Sequence, residues 1–490
     1  MNLISSPNAP TVKVVLMISA FRCICRSVLV YLIALFVCTR SQAVEAPVET
    51  VKIQVDPQTV VSRISPDFIG FGYESSAVAQ TNYFSATNAS LIQLYRNLTT
   101  NGLIRVGGNV SDHTKYIPQG IPIVNSQRAV TIFNHASLLN LAGFARASGW
   151  KVMWGLNLGS GSRAEAVAEA VAVNAALGDR LQSFEIGNEV EALLRSRHNY
   201  DTYHAAYLDY KQGIRSVLPN APFSGPDSIG NWSWITNFAA TEAGDIKLLT
   251  RHYYRGGAQD PTTSLEKLLQ RDSGWDNRLQ QLQQLCRKDG IAYRINEVNS
   301  FSGGGKAGVS DTFGSALWCL DYMFLLASHD CNGVNMQTDI NHLAWISHYS
   351  PIIHDPAGIC HARPEYYGML AFSLAGKGDL LKLTLDAGDV NLSAYATRDE
   401  SGFLWITVIN KDFSRDATVE MTLPEGYAGA GAFRLVAPSV YSTNQVTLAG
   451  AEVSASGQWT PKSPEPLAVN AGLVNVPVPH ASAVVVRLHR

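Results

Sequence analysis

Two glutamates that close strand-like runs carry the chemistry open to this chain. Leu181-Gln182-Ser183-Phe184-Glu185 leads into Ile186-Gly187-Asn188-Glu189, and 108 residues later Tyr293-Arg294-Ile295-Asn296 leads into Glu297. Such a pair suits glycoside hydrolysis: one carboxylic acid protonates the departing oxygen while the other attacks or stabilises the positive sugar carbon. Arg105, inside Ile104-Arg105-Val106-Gly107-Gly108-Asn109, is a cation in an apolar strand and needs a carboxylate partner if buried. In His252-Tyr253-Tyr254, residues two apart share a face, so His252 and Tyr254 point together. From there they are expected to position the attacking carboxylate and keep it ionised. No CxxC, HExxH or metal-like Cys/His spacing occurs, and neither a metal nor a cofactor is expected.

The elements around these residues alternate. β-rich runs at Phe68–Tyr73, Leu103–Val106, Lys151–Leu156, Gln182–Ile186, Ala221–Ser224, Ile246–Tyr254, Ile291–Ile295 and Gly333–Met336 are separated by helical segments. Eight parallel strands with intervening helices match a (β/α)8 TIM barrel over residues 66–377. Ser162 is placed to cap the alanine-rich run Ala164–Leu177, with Gly178 as its left-handed exit. Asp311 stands before the apolar helix Thr312–Ser328. From about residue 378 the pattern becomes short strands with Gly, Pro, Asn and Asp turns, which predicts an antiparallel β-sandwich over 378–490. Thr50–Val55, within the stretch 44–65, has no barrel partner and is expected to join that sandwich.

The 490 residues are 46% hydrophobic and 16% charged, so the chain can bury a large core and is not a disordered polymer. Lys13, Arg22 and Arg26 precede the apolar run Val28–Val37, and Ser41-Gln42-Ala43 resembles a cleavage site. Residues 1–43 therefore read as a signal peptide and the protein as secreted or periplasmic, with no stable membrane insertion once the leader is gone; a retained anchor is the competing reading. Without that segment 34 basic residues face 40 acidic ones, a balance unsuited to gripping nucleic acid or a densely anionic polymer. Cys286, Cys319, Cys331 and Cys360 form either two disulfides of unknown pairing or four buried thiols.

Taken together, the motifs resemble glycoside hydrolase family 79, the clan A retaining enzymes that include bacterial β-glucuronidases and heparanases. The resemblance rests on Gly72-Tyr73-Glu74-Ser75, Arg105–Asn109, Ile186–Glu189, His252–Tyr254, Asn296-Glu297 and Ser302-Gly303-Gly304-Gly305 through Ser310–Phe313. It implies Glu189 as acid/base and Glu297 as nucleophile, with Arg105, His252 and Tyr254 positioning the nucleophile. It implies Asn188 on the sugar 2-hydroxyl and Glu74 and Asn109 on other hydroxyls. The backbone N–H groups of Gly303 and Gly304, with Tyr349, would receive a uronic carboxylate. Glycine suits that task, because it lets a backbone approach an anion closely.

One departure bears on the substrate. Where heparanases carry a lysine after the Gly-Gly-x of the second strand, this chain has Val110. The expected activity is therefore a secreted retaining exo-β-glucuronidase acting on glucuronic-acid-containing glycans. An endo-β-glucuronidase, another clan A glycosidase and a non-catalytic carbohydrate-binding protein are the alternatives. Specificity is expected in the loops Ile117–Arg128 and Thr338–His361.

Overall fold

The computed structural model describes residues 48–489, apart from 81, 125–129, 194–198 and 341–346. The expected leader lies outside the described residues, as do parts of both predicted specificity loops.

An opening strand, β1 (Glu49–Ile64), precedes a regular alternation of strands and helices. Its first half is β2 (Ile69–Glu74), α1 (Ala89–Leu98), β3 (Leu103–Gly107), α2 (His135–Ser148), β4 (Lys151–Leu156), α3 (Arg163–Leu177), β5 (Leu181–Ile186) and α4 (Tyr200–Arg215). The second half is β6 (Gly225–Ser228), α5 (Trp232–Glu242), β7 (Leu249–Tyr254), α6 (Ser273–Asp289), β8 (Tyr293–Asn299), α7 (Phe313–Ser328), β9 (Gly333–Gln337) and α8 (Pro364–Ala375). The eight strands β2 to β9 pair in the order β5–β4–β3–β2–β9–β8–β7–β6, each parallel to its neighbour. Closure comes just before β6, where Phe184 N donates to Pro222 O and Ser224 N to Phe184 O, both at 2.9 Å.

The predicted fifth strand, Ala221–Ser224, is thus the closing contact, and the ladder to β7 uses Gly225–Ser228 instead. That ladder pairs Gly225 with Leu249 and Ser228 with Arg251, skipping Pro226. A residue without an N–H is tolerated at such an irregularity.

Outward residues of the barrel strands, among them Phe71, Tyr73, Ile104, Val106, Trp154, Phe184, Ile295 and Met336, join the helices in one buried core. The interior is polar above a small plug of Leu103, Met153 and Leu248. Arg105, Arg294, Glu185, Asn296 and Asn335 are fully buried. Glycines on β2 make room for this filling, since a Cβ on Gly70 would stand 2.6 Å from the side chains of Arg294 and Asn335.

Ser162 caps α3 in a reciprocal capping box with Glu165, and Gly178 leaves it at φ 56° and ψ −122°, outside the left-handed helical region. The cap of α7 is Thr312, without a side-chain bond. Asp311 instead accepts the Gly308 N–H and pairs with His348, because its side chain turns back into its own loop.

The C-terminal strands are β10 (Gly378–Asp386), β11 (Leu392–Arg398), β12 (Leu404–Asn410), β13 (Ala417–Thr422), β14 (Gly429–Val436), β15 (Thr447–Leu448), β16 (Leu473–Val478) and β17 (Ser482–His489). They lie in an eleven-stranded sheet running β15–β14–β17–β12–β11–β10–β1–β13–β16, with two short strands adding to it. The sheet is mixed, because β1 is antiparallel to β10 but parallel to β13. Alternation along β12 explains how it meets the barrel. Leu404, Ile406 and Val408 face a core with Val51, Val419, Val476 and Val486, while Trp405 and Ile409 face the barrel helices.

The four downstream cysteines are free and buried, so the thiol reading holds for them. Among the described residues no helix is long and apolar enough to cross a membrane.

Candidate active site

The catalytic end of the barrel opens into a cavity of about 630 Å³. Glu74, Asn109, Glu189, His252, Tyr254, Glu297, Gly303, Gly304 and Tyr349 line it, so nine of the eleven residues singled out from the sequence meet there. The other two, Arg105 and Asn188, are fully buried beside them.

Local backbone devices aim the two glutamates. Gly187 at φ 82° turns the chain after β5, and Glu189 itself sits at φ 45° with its N–H donated to Asp227 O at 2.9 Å. Glu297 lies within β8 and not at its end. Strict alternation would put it with Tyr293 and Ile295, facing the helices. Pairing with β7 shifts register between Ile295 and Glu297, and pairing with β9 shifts between Ile295 and Val298. This bulge turns both Asn296 and Glu297 inward, which is how bulges serve sites near strand ends.

Arg105 answers the requirement for carboxylate partners. Its Nη1 donates to Glu297 Oε2 at 2.5 Å, its Nη2 to Asp227 Oδ2 at 2.5 Å and to Asn188 Oδ1 at 2.7 Å, and its Nε to Glu185 Oε2 at 3.4 Å. Tyr254 Oη donates to Glu297 Oε1 at 2.9 Å. His252 departs from its expected role. Its Nδ1 is 2.8 Å from Glu189 Oε1 and 3.8 Å from Glu297 Oε2, so its bond goes to the other glutamate. Its Nε2 meets Asp227 Oδ1 at 2.7 Å. Asn188 donates to Asn109 Oδ1 at 2.9 Å, which places Asn109, not Asn188, at the cavity surface. Glu74 accepts the Val110 N–H at 2.8 Å.

These contacts set the charges. Burial works against ionisation of Asp227, yet Arg105 and His252 outweigh it and hold the carboxyl below its ordinary range. Burial also opposes the His252 imidazolium, but Glu297 and Asp227 push its pKa well up. For Glu189, burial raises the pKa and Glu297 adds to it, against the opposing pull of His252. Burial, with Asp227 beside it, lifts Glu185 to about 8. Burial, helped by Glu297, lifts Glu74 to about 8 and Asp339 to about 7.

Oxygens of Glu189 and Glu297 and a nitrogen of His252 lie within 4.8 Å of one another, close enough to consider a cation. Both imidazole nitrogens already face carboxylates, Glu189 at 2.8 Å and Asp227 at 2.7 Å, which leaves neither nitrogen turned toward an ion. The trio reads as an acid–base group.

Gly303, Gly304 and Gly305 follow one another at φ 79°, 86° and 76°, a conformation other residues rarely adopt. Among the described residues the N–H groups of Gly303 and Gly304 have no acceptor, and a Cβ on Gly303 would meet nothing within 4 Å. The Gly304 carbonyl accepts from His348 N and Tyr349 N, tying this turn to the loop after β9. The Tyr349 ring lies 6.2 Å from that of Tyr254.

Sequence reasoning passed over Asp227, Glu185, Gln337 and Asp339. Asp227 hides in Gly225-Pro226-Asp227, which reads as a turn. Gln337 ends β9 and Asp339 follows it, and the rule that catalytic ends lie at strand C-termini was signal enough to find them.

Comparison with known proteins agrees with this picture. Residues 390–485 match the glycosyl hydrolase family 79 C-terminal beta domain. A curated β-glucuronidase of Aspergillus niger is 27% identical over 70% of this chain and 69% of its own length. One from Neurospora crassa is 26% identical over 67% and 66%, so the chain spans about two thirds of either relative. Among solved structures, a 4-O-α-L-rhamnosyl-β-D-glucuronidase from Fusarium oxysporum superposes with a TM-score of 0.73 at 17% identity, covering 89% of this chain and 99% of that one. A family 51 α-L-arabinofuranosidase from Bifidobacterium longum gives 0.69 at 15%, covering 90% and 100%. At such identities the two structures speak for the fold alone. Family motifs, β domain and curated relatives all support glycoside hydrolase family 79 as the family this chain resembles.

Proposed function

We propose that the protein is a retaining exo-β-glucuronidase, exported from the cell, that releases terminal β-linked glucuronic acid from glycans. The observation that carries this reading is a single cavity holding both the glutamate pair and the three-glycine turn. Carboxyl oxygens within 4.8 Å suit a retaining enzyme, whose carboxyl groups stand about 5–5.5 Å apart, and leave no room for the water of an inverting one.

Glu297 attacks the anomeric carbon and the bond to the aglycone oxygen breaks as Glu189 delivers its proton there. Water then opens the glycosyl ester, with Glu189 taking the water's proton. Arg105 and Tyr254 hold one oxygen each of the attacking carboxylate. Asn109 and Glu74 face the sugar hydroxyls, with Asn188 fixing Asn109 from behind. The free N–H groups of Gly303 and Gly304, beside Tyr349, are where a uronic carboxylate fits.

Among the described residues no lysine or arginine lines the cavity, and Val110 stands on its wall. Both facts favour a plain uronic acid over a sulfated polymer. The relatives named β-glucuronidase point the same way. The test is hydrolysis of p-nitrophenyl β-D-glucuronide and of the matching glucoside, beside Glu189→Gln and Glu297→Gln. The reading expects turnover of the glucuronide that collapses in both variants. Preference for the glucoside would sink the carboxylate pocket, and turnover surviving Glu297→Gln would sink the mechanism.

A further inference from the structure

Asp227 sits at a junction of the barrel mouth that the retaining mechanism does not explain. Its carboxylate is 1% exposed and takes bonds from Arg105 Nη2, His252 Nε2 and Asn296 Nδ2. Its carbonyl accepts the Glu189 N–H, and its own backbone lies at φ 59°. The turn after β5 and the irregular strand β6 thus hold non-glycine residues, Glu189 and Asp227, in a conformation that costs energy, and the bond between them ties the two together.

We propose that Asp227 is a positioning residue that acts through His252 to decide which oxygen of Glu189 carries the acid proton. This rests on the retaining glycosidase reading and deepens it. In this proposal Asp227, 2.7 Å from Nε2, keeps the imidazole protonated on both nitrogens, so that Nδ1 donates to Glu189 Oε1 across 2.8 Å. An oxygen that receives a hydrogen bond from a cation does not also hold the acid's proton. The proton therefore sits on Oε2, which has no partner among the described residues, on a side chain that lines the cavity.

When the glycosidic C–O bond breaks, the Oε2 proton passes to the departing oxygen and His252 keeps both of its own. In the second step Oε2 accepts the water's proton. The charged and titratable groups facing His252 are Asp227 from β6, Glu189 after β5, Glu297 from β8 and, farther off, Glu185 from β5. Arg105 from β3 stands behind Asp227 and Glu297. Of these, Asp227 is the carboxylate bonded to Nε2 and Glu297 is already paired with Arg105, so the proposal expects the ring to become neutral once the Asp227 charge is removed. A neutral ring with a bare Nδ1 would accept from Glu189 and draw the acid proton to Oε1, away from the substrate.

The test uses Asp227→Asn with two aryl β-glucuronides, one whose phenol needs protonation to leave and one dinitrophenol that does not. The proposal expects kcat/KM to fall about 100-fold on the poor leaving group, the scale of general acid catalysis, and at least about tenfold less on the activated one. It expects the basic limb of the pH profile to move up by about one unit or more, because Glu189 loses a neighbouring cation. His252→Gln should reproduce the leaving-group dependence, and the double variant should be no worse than the worse single one. Equal losses on both substrates with an unmoved limb would show Asp227 to be merely structural and overturn the proposal.

Should the variants fail to fold, nitrogen NMR of the wild-type histidines decides the matter. An imidazolium persisting at pH 8, assigned by its loss in His252→Gln or, if that too is unfolded, by its proximity to Asp227 and Glu189 protons, supports the proposal. A neutral His252 there overturns it. That readout stands whether or not a glucuronide is the substrate, so it separates this inference from the functional reading.

Discussion

Arg105→Met is the sharpest perturbation of the barrel interior. Arg105 is fully buried and makes two 2.5 Å ion pairs, with Glu297 and Asp227, and a 2.7 Å bond to Asn188. Methionine fills much of the same space and leaves both carboxylates without that cation. Breaking a buried pair by removing one partner costs about 3–5 kcal/mol, a large share of a total stability of roughly 5–15 kcal/mol. The pH dependence follows from Asp227. Its folded pKa is depressed, so its stabilisation is present above the unfolded pKa near 4 and is lost as pH falls through the folded value. In the variant only His252 and the Asn296 amide still oppose the cost of burying that charge. The destabilisation should therefore be full at pH 7 and smaller by about 1 kcal/mol or more at pH 4.5.

Urea unfolding of wild type and variant at the two pH values measures this, and kcat/KM should fall by about 1,000-fold, some 4 kcal/mol, as Glu297 loses its orientation. Arg105→Lys should lie between, since one ammonium cannot reach Glu297, Asp227 and Asn188 together. A loss below about 1 kcal/mol at pH 7, or equal losses at both pH values, would refute the claim that Arg105 balances these charges.

Two further perturbations read other parts of the site. Tyr254→Phe removes the 2.9 Å bond to Glu297 Oε1 and should lower kcat/KM by about 10- to 100-fold, the worth of a hydrogen bond to a charged group, with little change in melting temperature. Glu74 has its folded pKa raised to about 8, so its carboxyl stays protonated in the folded state after it has ionised in the unfolded one. Wild-type stability contributed there declines as pH rises from about 4.5 to about 8, and Glu74→Gln should flatten that decline in a pH series of unfolding midpoints. Ionising Glu74 also places an anion in the cavity, so the wild-type KM for a glucuronide should rise above pH 8 while that for a neutral glucoside stays flatter.

Much of the barrel was legible because its signals are local. The strands at Lys151–Leu156 and Leu103–Val106 show as β-rich runs, and Ser162 with Glu165 declares a helix start within four residues. Misreadings came where a local pattern carried two meanings. The β-rich run Ala221–Ser224 stood for the fifth strand, and only the ladder that skips Pro226 places the strand at Gly225–Ser228. Asp311 looked like a cap by position, yet its carboxylate bonds to Gly308 of its own loop and to His348 of the loop after β9.

By itself the sequence determined the alternation of elements, the two glutamates, the buried cation seeking carboxylates and the three-glycine run. Tertiary structure alone decided the partners. Arg105 meets Asp227 across 122 residues and Glu297 across 192, contacts that exist only once the barrel closes. The bulge that turns Glu297 inward depends on the registers of two neighbouring strands, and no reading of β8 alone contains them. His252 pairs with Glu189 because Asp227 takes its other nitrogen, a choice made by three strands at once. Alternation and capping are written in neighbouring residues; charge pairing in a closed barrel is written in their distances after folding.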